Sequence, residues 1–147
     1  NDIRFCAMNL LARREHLGAE LQEKLRKRFG EDALDEIEAT LQTLSAEGLQ
    51  SDTRYLESYI RQRSARGYGP ERLRQELRQK GVSADDLQVA LDEADIDWSS
   101  LARGCRLKKF GAELPRDFKD KAKQLRYLQY RGFAGELASA AFDADTY

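Results

Sequence analysis

Histidine and cysteine are scarce in this 147-residue chain, and their scarcity closes off whole classes of function. His16 is the single histidine, and Cys6 and Cys105 lie far apart without CxxC spacing, so no metal site and no cofactor is expected. Both cysteines fall on helix faces that read as apolar, and reduced, buried thiols fit a cytoplasmic protein. With β-branched residues few, a large sheet is not expected. No apolar run approaches the ~20 residues of a membrane span, and no secretory signal is visible. Gly67-Tyr68-Gly69-Pro70 lacks the GKS/T ending of a phosphate-binding loop. A catalytic histidine needs oriented partners, and Cys6 has no histidine pattern to activate it, so an enzyme is not expected. The chain opens at Asn1 rather than Met, and a piece of N-terminus is expected to be missing ahead of it.

What is abundant is helix-forming: Arg, Glu, Leu, Ala and Gln dominate. The pattern repeats. A shift of 52 lays Leu21 and Leu25 on Leu73 and Leu77, Met8 on Ile60 and His16 on Tyr68. A shift of 51 carries Leu77 onto Leu128, Lys80-Gly81-Val82 onto Arg131-Gly132-Phe133, and Leu91 onto Phe142. Each repeat reads as three short helices. In the first, the apolar stripes are Ile3, Ala7, Leu10 and Leu11; then Leu17, Leu21, Leu25 and Phe29; then Leu34, Ile37, Leu41 and Leu44. In the second, Tyr55, Leu56, Tyr59 and Ile60 precede the break at Gly67 to Pro70. Pro70 suits a first helical turn, and Ser83-Ala84-Asp85-Asp86 resembles a capping box with Asp in place of Glu. In the third, Trp98, Leu101, Ala102 and Cys105 are followed by Phe118, Ala122, Leu125 and Leu128, then Leu137, Ala141 and Phe142. The expected fold is all-α: three tandem three-helix, helix-turn-helix-like repeats at 1–50, 51–96 and 97–147. Small modules that contact chiefly their neighbours predict an elongated, curved array. Short acidic connectors, at 49–52 and 95–97, predict limited hinges.

Charge is segregated although the net is only −1. Arg61 to Lys80 holds seven basic residues against Glu71 and Glu76, and Arg103 to Arg131 holds ten against three acids. Ser83 to Asp97 holds six acids and no base, and Glu31 to Glu57 holds eight acids against one base. The plain alternative is a solvated surface with i,i+4 pairs such as Glu20–Lys24. Blocks of one sign fit that alternative less well, and suit contact with phosphates or with an acidic protein groove. The candidate contact residues are Arg63, Arg66, Arg72, Arg74, Arg78 and Lys80, then Lys108, Lys109, Lys119, Lys123 and Arg126. Arg72 neighbours Leu73 on one helix, so one of the two faces outward. Tyr68, Gly69 and Pro70 read as a turn that sets shape rather than as a contact. Tyr127 and Tyr130, beside Arg126 and Arg131, could stack on bases or pack the third module. No recognition-helix set of Asn, Gln and Arg stands out, so sequence-specific DNA readout is not expected.

Asp52-Thr53-Arg54-Tyr55 and the run Arg66-Gly67-Tyr68-Gly69-Pro70-Glu71-Arg72-Leu73-Arg74-Gln75-Glu76-Leu77-Arg78-Gln79-Lys80-Gly81-Val82 resemble the signature of the bacterial RecX regulatory family. Arg14-Glu15-His16 with Glu20-Leu21 and Lys24-Leu25 resembles its opening module, and Asp97-Trp98 with Lys109-Phe110-Gly111 its third. The resemblance spans essentially the whole chain. It departs at Leu17-Gly18, where a small polar cap is expected, and in the leading tail. The resemblance implies three tandem three-helix repeats and binding to the RecA filament on DNA, along its groove and across more than one subunit. The consequence implied is less filament extension, ATP hydrolysis, strand exchange and LexA cleavage. Two classes remain open: a monomeric regulator that binds the RecA filament, touching single- and double-stranded DNA only weakly and without sequence specificity, or a non-specific DNA-binding module that inhibits RecA by competing for DNA.

Overall fold

Apolar residues spaced three and four apart leave water together when the chain coils with one buried stripe. Nine α-helices form in this way among residues 2–143, the part described in the computed structural model. They are α1 (Asp2–Arg13), α2 (Gly18–Phe29), α3 (Leu34–Ala46), α4 (Asp52–Ala65), α5 (Pro70–Gln79), α6 (Ala84–Ala94), α7 (Trp98–Phe110), α8 (Phe118–Arg131) and α9 (Glu136–Ala140). A 3₁₀ turn, Glu31–Ala33, leads into α3, and no strand occurs among the described residues. The fold is all-α, built of three-helix modules. The chain divides into two compact units, residues 1–59 and 60–147, with the division inside α4. The end of the third expected repeat, residues 144–147, lies outside the described residues.

In the first unit α1, α2 and α3 pack on one another around Ile3, Ala7, Leu25, Ile37 and Leu44. Leu17, Leu21 and Leu25 recur every fourth residue and all are buried. Each such leucine contributes about 1.5–3 kcal/mol relative to an exposed one. The start of α2 lacks a polar cap of its own, since Leu17 stands at that position. Two carboxylates supply it. Glu20 accepts from the Leu17 N–H at 3.0 Å, and Asp52, at the head of α4, accepts from the Gly18 N–H at 2.9 Å. The connector is held from the same side: buried Gln50 donates through Nε2 to the His16 carbonyl and to Asp52. Arg54 donates to the carbonyls of Gly48 and Leu49 and to Glu15. The expected Glu20–Lys24 pair is corrected here. Glu20 takes Arg14 instead, because capping has already turned its carboxylate toward the helix start, while Glu23 and Lys27 pair at i,i+4.

In the second unit Leu73 and Leu77 on α5 and Leu87 and Leu91 on α6 are buried as α5 packs on α6. Pro70 is the first residue of α5, and the Ser83 hydroxyl accepts from the Asp86 N–H at 3.1 Å to start α6. Asp97 and Asp117 cap α7 and α8 in the same manner. Helices α7, α8 and α9 close over Ala102, Leu128, Phe133, Ala138 and Ala141.

Three apolar readings need correction. Phe118, expected in the core stripe of α8, is 88% exposed, because it directly follows the cap and its first-turn position faces solvent. Cys6 and Cys105 are half-buried rather than buried. Met8, laid on the fully buried Ile60 by the shift of 52, is exposed. The buried pair Ile3 and Ala7 has the spacing of Leu56 and Ile60, so α1 and α4 correspond one residue out of that register.

A polar pair sits in the third module's core. Arg106 and Gln124 are only 3% and 4% exposed. Arg106 donates to the Ala141 carbonyl at 2.9 Å, to the Glu113 carbonyl at 3.4 Å and to Gln124 Oε1 at 3.3 Å, and lies over the Phe142 ring. The shift of 51 places Gln124 at the position of Leu73, so a hydrogen-bonded amide stands where the second repeat has an apolar residue.

Candidate functional site

The basic residues singled out from sequence divide by what they touch. Tyr68, in the α4–α5 turn, is the centre of the first group. Arg63 and Arg131 each lie 3.9 Å from its ring centroid, and Arg72 lies at 4.7 Å. Such contacts contribute about 0.5–2 kcal/mol each. Glu76 binds this group as well: Arg63 donates to it twice, at 3.1 and 2.6 Å, and Arg72 lies 3.5 Å away. Arg72 also donates to the Tyr130 carbonyl. Arg131 donates to the carbonyls of Gly67 and Arg66. Arg74 is held by Glu71 and Gln88. Arg63, Arg72 and Arg74 thus have their donors engaged within the fold.

Tyr68-Gly69-Pro70 and Arg131-Gly132-Phe133 form two turns pressed back to back. The Gly69 N–H donates to the Arg131 carbonyl at 2.7 Å and the Glu71 N–H to the Gly132 carbonyl at 3.1 Å. A Cβ at residue 69 would lie 2.5 Å from the Gly132 backbone, and one at residue 132 would lie 2.5 Å from the Arg72 Cβ. Gly132 has φ +103°, which adds a conformational reason for glycine. With Tyr68, these bonds fasten the second module to the third.

The remaining candidates reach solvent. Arg66, Arg78, Lys80, Lys108, Lys109, Lys119, Lys123 and Arg126 are exposed. Lys119, Lys123 and Arg126 share one stripe of α8 by their spacing. Of these cations the fold gathers Arg66, Lys108 and Lys109 into one cleft of about 510 Å³, together with Arg131. Its walls are the end of α4 with the turn after it, one face of α7 (Leu101, Gly104, Cys105, Lys108), and Tyr127 and Arg131 of α8. None of the described residues lining it is Asp or Glu. Arg78, Lys80, Lys119, Lys123 and Arg126 do not line this cleft.

Tyr127 is half-buried there. Phe110 meets its ring edge-on at 5.4 Å and Lys109 lies 5.5 Å from its centroid. Burial first, and then Cys105 beside it, push the Tyr127 phenol above its ordinary value, so it stays a neutral donor. The sequence does not single out Arg131 or Cys105 for a site, and leaves Tyr127 open between stacking on bases and packing the third module. A signal for Arg131 was present: it aligns with Lys80, in a turn that recurs in both modules.

His16 serves the fold. It is 2% exposed, its Nδ1 donates to the Arg14 carbonyl at 3.0 Å, and its Nε2 faces the Lys24 ammonium at 3.1 Å. Nε2 must therefore accept, which fixes the neutral ring. Burial, then the nearby Arg14 and Lys24, hold its pKa below the ordinary 6.5. Burial resists ionisation of Glu20, but the bonds from Arg14 and the Leu17 N–H outweigh it and hold that carboxyl low.

Comparison with known proteins bears on this arrangement. The family signature described as RecX, second three-helix domain, matches residues 51–91, and that of RecX, third three-helix domain, matches 96–142. A protein named regulatory protein RecX in Pseudomonas putida KT2440 is 48% identical over 92% of this chain and 85% of its own length. This chain belongs to the RecX family. A RecX of Pseudomonas fluorescens SBW25 is 46% identical over 93% of the chain and 87% of its own length. A crystal structure of regulatory protein RecX superposes with a TM-score of 0.71, covering 94% of this chain and 72% of that one at 24% identity, and so shares the RecX fold. The Tyr68 clasp and the cationic cleft are both built where the two matched RecX domains meet. Among the described residues no helix is long and apolar enough to cross a membrane.

Proposed function

We propose that this protein is a negative regulator of the RecA recombinase that binds the RecA–DNA filament, in its groove, and restrains filament extension, ATP hydrolysis, strand exchange and LexA cleavage. The observation that carries the proposal is kinship with proteins named regulatory protein RecX over nine-tenths of the chain. The protein acts by binding rather than catalysis, as a cytoplasmic monomer, and its module limits lie at 50/51 and 96/97. Solvated Arg66, Lys108 and Lys109 are the leading contact residues. Arg78, Lys80, Lys119, Lys123 and Arg126 come second, and Arg63, Arg72 and Arg74 build the surface that carries them. A set of modest contacts spread over several RecA subunits sums to useful affinity, and a bridged filament is biased toward one of its states.

The second reading is a non-specific DNA binder that competes with RecA for DNA, favoured by a cleft lined with cations and, among the described residues, by no acid. RecA ATP hydrolysis on single-stranded DNA in large excess separates the two. Inhibition at protein concentrations well below that of RecA, weakened in Arg66→Ala/Lys108→Ala, is the expected result. Inhibition that disappears because DNA is plentiful would award the case to competition.

A further inference from the structure

Carboxylates in the second unit meet arginines at several places: Glu76 takes Arg63 and Arg72, and Glu71 takes Arg74. In the cleft beside α7 no such pairing occurs among the described residues. Arg66, Lys108, Lys109 and Arg131 all face it, no acid lines it, and none of the four has an ion pair among the described residues. Arg131 gives its donors to two carbonyls and its face to Tyr68, so its charge stays uncompensated. Four like charges on a concave wall repel one another and focus a positive potential into the space between them. An anionic ligand relieves that repulsion.

The shape of the site selects the anion. At about 510 Å³ the cleft has room for a few side chains or a short single strand. Single-stranded nucleic acid is gripped by aromatic faces on which bases stack. Among the described residues Tyr127 is the only aromatic lining the cleft, and Lys109 lies over its ring while Phe110 closes on its edge. A single ring, already engaged by Lys109 and Phe110, is a poor platform for stacked bases. Carboxylates need none: a guanidinium fork, ammonium groups and the Tyr127 hydroxyl suit them.

We propose that this cleft binds an extended acidic segment, rich in Asp and Glu, of the protein partner. The proposal rests on the regulatory reading above for the partner's identity, and on the cleft itself for its chemistry. The test uses a rhodamine-labelled oligoglutamate peptide and fluorescence anisotropy on the full chain. Lys108→Glu/Lys109→Glu reverses the cleft's charge at two exposed positions. Lys27→Glu/Arg116→Glu makes the same charge change elsewhere, and thermal melts verify that both variants fold.

The peptide is expected to bind wild type and control alike, and to bind the cleft variant at least about tenfold more weakly. Excess oligo(dT) is expected to displace it poorly. Absence of peptide binding, or equal binding by the cleft variant, overturns the proposal. So does displacement by oligo(dT) at low concentration together with loss of oligo(dT) binding in the cleft variant, which would assign the site to nucleic acid. The same variants are then titrated into the RecA assay. Full inhibition by the cleft variant removes the cleft from regulation and overturns this proposal while leaving the regulatory reading standing. No inhibition even by wild type overturns the regulatory reading, and the peptide result stands by itself.

Discussion

At the residue scale the buried pair Arg106–Gln124 carries the strongest constraint. A guanidinium taken out of water must have its donors occupied, or its desolvation is uncompensated. Gln124 is one acceptor and the Ala141 and Glu113 carbonyls are the others. Repeat logic alone recommends leucine at 124, by alignment with Leu73. The structure predicts the opposite result. Gln124→Leu should lower stability by about 1–3 kcal/mol in urea unfolding, because it strips an acceptor from a buried cation. Adding Arg106→Met should restore part of the loss, since an apolar pair of similar volume replaces a broken polar one. A double variant no more stable than Gln124→Leu alone would show that the pair is not coupled.

At the element scale the two back-to-back turns matter more than any helix. Gly81 and Gly132 are repeat equivalents and both end a helix with positive φ, +90° and +103°. A Cβ at 81 meets nothing within 4 Å, whereas one at 132 lies 2.5 Å from the Arg72 Cβ. Gly81→Ala should therefore show only the left-handed backbone penalty, about 1–2 kcal/mol. Gly132→Ala should add an overpacking penalty of about 1–3 kcal/mol, which the difference between the two denaturation curves reads directly. The same clash should loosen the clasp around Tyr68, because Arg72 is both the residue struck and one of its three cations.

At the scale of the whole molecule, 25 basic and 26 acidic side chains nearly cancel, and one histidine is present. Charge acts locally through clefts and clasps rather than through a net field. The lone histidine also makes pH a clean probe. His16 is neutral and buried in the folded chain, with its pKa held below 6.5. In the unfolded chain it takes a proton as pH falls through about 6.5. The unfolded state then binds more protons than the folded one, so stability falls with pH in that window and levels off once the folded-state pKa is passed. Urea midpoints between pH 7 and 5 should trace this fall, and His16→Gln should flatten it. A slope unchanged by that substitution would assign the fall to carboxylates.

What the sequence determined by itself was set by local physics. Helix class, repeat period and the starts of α5 and α6 follow from spacing and from Pro70 and Ser83, which act within one turn of chain. The buried leucines at 21, 25, 73, 77 and 128 were readable because each helix must hide one stripe wherever it docks. The family was readable from the run at 66–82, where many residues agree at once. Tertiary structure alone decided which charges are free. Arg63 and Arg66 are three residues apart on chemically similar ground, yet one is locked to Glu76 and Tyr68 while the other faces an open cleft. It likewise decided that Asp52 caps α2 and that Arg131 joins a cleft with Lys108. Each of these depends on the approach of segments tens of residues apart, and a long, flexible side chain acquires its partner only once that approach is made.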